Sequence, residues 1–150
     1  MGSYKNRSTD STVSAISDAI SDLTSLGEEC REIVDNASEN LQQTSRIQTF
    51  DETASALEGL SEPDVPECVA ELPITYSEQI STRKGRGESR AVRCANSVAV
   101  LQAAQEAVAM WLEDETNEEH AERDEVEQLA NDIEEIIGEA EGCEFPGMYG

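Results

Sequence analysis

The side chains that most often perform catalysis are scarce in this sequence and form no recognisable catalytic arrangement. His120 is the single histidine, and it lies in a polar, acid-rich stretch with no Ser or Cys motif around it. A nucleophile needs a base within hydrogen-bond reach, and the chain also has no glycine-rich phosphate loop that follows a strand. Carboxylates are so numerous that no single pair of them indicates acid–base chemistry. We therefore expect that the protein is not an enzyme.

Four cysteines are spread along the chain without a C-x-x-C pair: Cys30, Cys68, Cys94 and Cys143. Because zinc sites usually take their ligands from close pairs, we expect neither a metal nor another cofactor. Acidic residues recur at alternate positions in 114–125, as they do in a calcium-binding loop. The sixth position of such a loop needs Gly, and because Glu119 stands there, we expect no calcium site. Cys30 and Cys94 lie on apolar helical faces and are expected to be small buried hydrophobic residues. The sequence does not decide whether any of the four cysteines form disulfides.

Positive charge is concentrated in the stretch 81–93, STRKGRGESRAVR. In a protein of net charge −23, this stretch contains half of all Lys and Arg residues: Arg83, Lys84, Arg86, Arg90 and Arg93. Direct nucleic-acid binding is not expected, because no aromatic residues alternate with these bases and the surrounding charge is negative. Arg90 and Arg93 fall in the first turn of a predicted helix, where the helix dipole disfavours positive charge. We expect acidic partners on this chain's own helices or on a neighbouring subunit, and treat the five residues as candidate partner-binding residues.

The strongest functional feature is an acidic run from Glu118 to Glu141, with 11 carboxylates in 24 residues. In a single helix, a rise of about 1.5 Å per residue gives one negative charge per ~3.3 Å, close to the roughly 3.4 Å along one DNA strand. The run predicts an acidic surface formed by Glu118, Glu122, Glu125, Asp132, Glu135 and Glu139. Such a surface either imitates DNA or is a solvated face without a specific partner.

Apolar residues at three- and four-residue steps predict that these charges are carried by a mainly α fold. The pattern gives a helical bundle of about four helices, near residues 11–37, 47–60, 89–115 and 118–141. A cap at Asp10 or Ser11 begins the first helix, and Gly27 is expected to loosen or break it. A capping box at 49–52 is expected inside the second helix or at its start, and another at 116–119 is expected at the start of the fourth.

Composition divides the chain into three parts: a flexible N-terminal segment 1–10, a single helical domain 11–142 and an apolar C-terminal tail 143–150. Three prolines within 61–88 exclude a long regular helix there, so this part is a long crossover. Within it, LPITYSEQI at 72–80 has the pattern of one short strand, which needs a partner. In the tail, three large apolar residues either dock on the bundle or bind a partner, and they complete the candidate partner-binding set: Phe145, Met148 and Tyr149.

No apolar run approaches the roughly 20 residues that span a bilayer, and no apolar signal segment follows the N-terminus. We therefore expect no membrane association and no signal peptide. High acidity with only two Lys residues is also compatible with adaptation to a high-salt environment. The three explanations of the charge are thus solubility, salt adaptation and a basic partner.

Three stretches, SLGEECREIVDNASENLQ, EPDVPECVAELPITYSEQ and EGCEFPGMYG, resemble short uncharacterised proteins encoded by tailed viruses of prokaryotes. The resemblance carries no catalytic motif and implies either a virion or assembly component or an inhibitor of a host enzyme. The resulting expectation is a non-catalytic, acidic helical protein that binds other protein, in the cytoplasm or in a virion, and forms a homo-oligomer or larger assembly. The alternatives are an acidic DNA mimic that blocks a host DNA-binding enzyme, and a salt-adapted structural protein whose charge has no specific partner.

Overall fold

The structure, a computed structural model, describes residues 3–42, 44–81 and 89–146. Its elements follow the order β1 (Ser3–Ser11), α1 (Thr12–Asn36), α2 (Glu39–Gln42), α3 (Ser45–Glu58), α4 (Glu67–Ala70), β2 (Pro73–Ser81), α5 (Arg90–Glu113) and α6 (Arg123–Glu141). A 3-10 turn, Glu115–Asn117, lies between α5 and α6. The predicted mainly α fold is confirmed, and α1, α3, α5 and α6 are its four long helices.

The first helix is continuous through Gly27, where the sequence predicted a weak point or a break. Ser11 caps it as predicted, because its hydroxyl oxygen accepts the Ser14 N–H at 3.4 Å. Gly27 is buried, and a Cβ added to it would lie 2.9 Å from the Leu57 Cβ. The glycine therefore allows α3 to approach α1 closely, and the packing between the two helices supports the helix across this position.

The ends of the other helices agree with the sequence at some positions and differ at others. Helix α5 begins near residue 89 as predicted, and Ser89 caps it by accepting the Val92 N–H at 3.2 Å. Gly142 follows the end of α6. The capping box predicted at 49–52 is wrong, because Thr44 caps α3 and Thr49 lies within that helix, bonded to the Ser45 carbonyl.

The capping box predicted at 116–119 is also wrong, because α6 begins later, at Arg123. Thr116 lies in the 3-10 turn, where its N–H and hydroxyl both donate to the Asp114 carboxylate, at 2.9 and 2.7 Å. The Thr116 hydroxyl thus stabilises the 3-10 turn through Asp114 and does not cap α6. The acidic run is therefore divided between a turn and a helix.

Two strands form one small antiparallel sheet, with Ser3 opposite Ser81 and Ser11 opposite Pro73. Strand β2 confirms the strand predicted at 72–80, and its partner is β1 of the same chain. Residues 3–10, for which the sequence predicted a flexible segment, are instead β1. Their polar residues show no local strand pattern, and the pairing depends on a segment about seventy positions away. The described part of the predicted crossover, 61–81, contains α4 as well as β2.

The main core lies between α1, α5 and α6, and it includes Val69 of α4 and Ile74 of β2. The apolar stripe of α6 faces this core: Val126, Leu129, Ile133, Ile136, Ile137 and Ala140. A smaller cluster between α1 and α3 contains Cys30, Ile47, Phe50 and Ala54. Cys30 and Cys94 are buried as predicted, and all four cysteines are free thiols. Among the described residues, no helix combines the length and apolar character needed to cross a bilayer.

Candidate functional site

Arg90 and Arg93 lie in the first turn of α5 and both contact Glu29 of α1. The Arg93 guanidinium donates to the two carboxylate oxygens of Glu29 at 3.0 and 2.7 Å, and Arg90 Nε donates at 3.3 Å. The predicted pairing with an acidic helix of the same chain is confirmed for these two arginines. The other three candidates of the basic stretch, Arg83, Lys84 and Arg86, lie outside the described residues.

The contact around Glu29 has a clear electrostatic effect. The hydrogen bonds from Arg93 are the main cause that holds the pKa of Glu29 below its ordinary value, and the charge of Arg90 adds to this effect. The same carboxylate raises the pKa of Arg93. Glu29 thus compensates two positive charges at a helix N-terminus, where the dipole disfavours them, and no external partner is needed for this purpose.

The remaining arginines with described side chains are also engaged within the chain. Arg31 of α1 contacts Asp51, Glu58 and Ser55 of α3. Arg123 donates to the Leu112 carbonyl at 3.0 Å and pairs with Glu127, and the Arg46 guanidinium lies 5.1 Å from the centre of the Phe50 ring. Sequence analysis missed Arg31, although acids at a helical spacing in 51–58 were a signal for it. Arg31 and Arg123 therefore join elements of the bundle.

The predicted acidic helix is shorter than the acidic run. Helix α6 starts at Arg123 and contains eight of the 11 carboxylates, whereas Glu118 lies in the preceding turn and Glu122 in the position just before the helix. Four of the six candidate residues share one flank of α6, because they follow helical spacing: Glu125, Asp132, Glu135 and Glu139. Other acids lie on the opposite flank: Glu127, Glu134 and Glu141. The expectation of one helix that carries the whole run from Glu118 is therefore wrong, and the carboxylates of α6 lie on two flanks.

Three of those candidates, Asp132, Glu135 and Glu139, line a recess of about 580 Å³ between α6, the end of α3 and residues 59–64. An adjoining recess of about 370 Å³ shares Glu135 and Glu139 with it. We refer to the two together as the acidic groove, whose carboxylates are Glu52, Glu62, Asp64, Asp132, Glu135, Glu139 and Glu144. Within the described part of the chain, neither recess is lined by a Lys or Arg residue. The groove has a single sign of charge.

The beginning of the tail packs on the bundle beside this groove. The Thr53 hydroxyl donates to the Glu144 carbonyl at 2.8 Å and accepts the Glu144 N–H at 3.3 Å. Phe145 is half-buried and packs against both core clusters. The docked alternative is thus confirmed for Phe145, while Met148 and Tyr149 lie outside the described residues.

A polar cleft of about 420 Å³ lies between α1, β2 and α5, and Asp18, Asp22, Tyr76 and Arg93 are among its lining residues. Burial is the main cause that raises the pKa of Asp22, and the neighbouring Asp18 adds to it. Arg93 acts in the opposite direction. The cleft therefore contains a carboxylate that is less stable in its ionised form than an exposed one.

Sequence analysis also missed a close approach of Cys68, His120 and Glu122, whose potential ligand atoms lie within 4.8 Å of one another. Cys68 is far from the other two residues in the sequence, so no local motif could indicate the group. The described surface thus combines paired arginines, an acidic groove of one charge sign and this mixed cluster. The chain matches no protein-family model, no curated protein and no solved structure, and its function is inferred from this geometry.

Proposed function

We propose that the protein is a non-catalytic interaction protein whose acidic groove binds a basic segment of another protein. The observation that carries this proposal is the charge of the groove: seven carboxylates and, among the described lining residues, no Lys or Arg. A concave surface of one charge sign concentrates the electric field and accelerates the approach of an oppositely charged partner. Arg31 contacts the lining residue Ser55, but its charge pairs with Asp51 and Glu58, which are not among the carboxylates of the groove.

The chemistry of the groove favours arginine and lysine side chains. Carboxylates accept two parallel hydrogen bonds from a guanidinium, and such charge-assisted bonds are shorter and stronger than neutral ones. Asp132 and Glu139 are seven residues apart on α6, which corresponds to about 10.5 Å along the helix. A segment with basic residues at two or three positions can therefore reach several carboxylates of the groove at once.

A test compares two triple variants that remove the same amount of charge from the same helix. The groove variant is Asp132→Asn, Glu135→Gln and Glu139→Gln, and the matched control on the opposite flank is Glu127→Gln, Glu134→Gln and Glu141→Gln. Binding of a fluorescent Arg- and Lys-rich peptide is measured at several salt concentrations. Because exposed pairs contribute roughly 0.2–1 kcal/mol each, we expect the groove variant to bind about tenfold more weakly than the control. Equal weakening in both variants would show that only net charge matters.

Self-association and a role in a virion or its assembly are parts of the same proposal. They are supported by the viral resemblance of the sequence and by the outer face of α5, where Ala91, Ala95 and Ala109 are exposed and Met110 is 65% exposed. Small residues allow a second helix to approach closely, so the occupant that we propose for this face is a second copy of the chain. Light scattering in low and high salt tests this idea, and a strict monomer in both conditions argues against it.

The DNA-mimic alternative predicts a host DNA-binding enzyme as the partner. It is less favoured because the charges of α6 lie on two flanks and a partner on one side meets only part of them. Its test is competition: duplex DNA must displace the protein from such an enzyme. Salt adaptation without a partner predicts instead a steep rise of the melting temperature up to molar salt and equal peptide binding by both triple variants.

A further inference from the structure

Three side chains of types that commonly bind metals meet where α4 approaches the turn between α5 and α6. Cys68 belongs to α4, His120 to the turn, and Glu122 lies just before α6. One potential ligand atom from each residue lies within 4.8 Å of the other two. We propose that Cys68, His120 and Glu122 bind one Zn²⁺ ion or a divalent transition metal of similar preference.

The separation of the three atoms is close to that of a zinc site. Tetrahedral zinc with bonds of about 2.3 Å to sulfur and about 2.0–2.2 Å to nitrogen or oxygen places its ligand atoms roughly 3.3–3.6 Å apart. Each ligand atom therefore has to move inwards by less than about 1 Å. Cys68 and Glu122 are only half-buried, so rotation of these two side chains can supply most of this movement. The fourth position is left to water.

The types of the ligand atoms select the class of metal. A thiolate, an imidazole and a carboxylate are the three protein ligands that zinc uses, whereas Ca²⁺ and Mg²⁺ prefer oxygen atoms alone. The two negative charges of a bound thiolate and a bound carboxylate balance the two positive charges of the metal ion. Burial raises the pKa of the Cys68 thiol, and the charges of Glu122 and Glu125 raise it further.

The turn that carries His120 is held by contacts outside the proposed site. The His120 N–H donates to the Asn117 carbonyl at 3.1 Å, and Arg123 donates to the same carbonyl at 3.4 Å. The His120 ring also contacts the Trp111 ring edge to face, with 5.2 Å between their centres. The imidazole is therefore positioned before any metal arrives, which lowers the entropy that binding must remove.

The other two ligands are also attached to fixed parts of the fold. Cys68 is next to Val69, which is completely buried and anchors α4 in the core. His120 Nδ1 accepts the N–H of Glu122 at 3.0 Å, so in the neutral ring Nε2 carries the proton. A metal bound through Nδ1 replaces this hydrogen bond, and because the turn is at the surface, the amide can then donate to water. Metal binding would link α4, which lies in the crossover, to the turn that precedes α6.

The experiment is a titration of the full chain, reduced and freed of metal, with Co²⁺ in excess Mg²⁺. Excess Mg²⁺ occupies the carboxylate surface, which prefers hard cations. We expect one Co²⁺ per chain, a near-ultraviolet thiolate-to-cobalt band and the visible bands of a four-coordinate ion, all lost when Zn²⁺ displaces Co²⁺. Zn²⁺ should also raise the melting temperature, since a ligand that binds the folded state stabilises it.

Cys68→Ser should abolish the thiolate band, and His120→Ala or Glu122→Gln should weaken binding by at least the roughly 10–100-fold that loss of an outer-shell partner causes. Cys143→Ser is the matched control, because Cys143 is another half-buried cysteine, and it should leave the band and the affinity unchanged. Absence of the band in the parent chain, its survival in Cys68→Ser or its loss in Cys143→Ser would each overturn the proposal. The readout is spectroscopic and does not depend on whether the acidic groove binds a basic partner.

Discussion

Replacing Glu29 by Gln tests how the basic stretch is compensated. The substitution keeps the size of the side chain but removes the charge that Arg90 and Arg93 share. A hydrogen bond to a charged group contributes about 1.5–3 kcal/mol when it is well protected, whereas exposed ion pairs contribute roughly 0.2–1 kcal/mol. Because the side chains of Glu29 and Arg93 are 34% and 37% exposed, solvent screens the contact. We expect a loss of about 1–1.5 kcal/mol in the free energy of unfolding at neutral pH.

The pH dependence of that loss follows from the lowered pKa of Glu29. The folded-state pKa lies below the ordinary value of 4.5, so the folded state binds the proton less readily than the unfolded state does. The contribution of Glu29 is therefore fully present above the unfolded-state pKa and is lost as the pH falls through the folded-state pKa. Urea unfolding of both proteins, followed by circular dichroism from neutral pH to about pH 3, measures the difference.

Glu28→Gln is the matched control, because Glu28 is exposed, is adjacent in α1 and forms none of the ion pairs among the described residues. It removes the same charge from a protein of net charge −23 and should cost less than about 0.5 kcal/mol at neutral pH. The reasoning is refuted if Glu28→Gln destabilises the protein as much as Glu29→Gln does. It is also refuted if the difference between the Glu29 variant and the parent protein persists unchanged at acid pH.

Three further substitutions test the packing, the tail and the polar cleft. Gly27→Ala should destabilise the protein by about 1–3 kcal/mol relative to Gly138→Ala in urea unfolding, since both gain helix propensity but only the former meets a neighbouring helix; equal effects would contradict the close packing. Thr53→Val should cost about 1–3 kcal/mol, because it leaves a backbone N–H and carbonyl of the tail unpaired, and should speed proteolysis of the C-terminus; an unchanged cleavage rate would argue against docking. Asp22→Asn should stabilise the protein at neutral pH, because burial and Asp18 raise the pKa of Asp22, and urea unfolding should show that gain disappear below its unfolded-state pKa; a gain that persists in acid would have another cause.

Patterns that extend over one helix were sufficient to predict much of this fold. The apolar stripe of α6, the cap at Ser11 and the buried faces of Cys30 and Cys94 depend on residues within a few positions of each other. Helix boundaries were predicted less well at Thr49 and at 116–119, because a threonine followed by acids also occurs inside helices and in isolated turns. Thr49 and Thr116 are both followed by acidic residues, yet Thr49 lies inside α3 and Thr116 lies in a 3-10 turn.

The sequence by itself determined the helical class, the excess of negative charge and the need for acidic partners at Arg90 and Arg93, since composition and helical periodicity are local properties. Only the tertiary structure decided that Glu29 supplies that partner and that α6 faces α3 across a groove. It also decided that β1 pairs with β2, and that Cys68 meets His120 and Glu122. Each of these contacts joins residues far apart in the chain, and they meet only because the apolar faces of the helices are buried together.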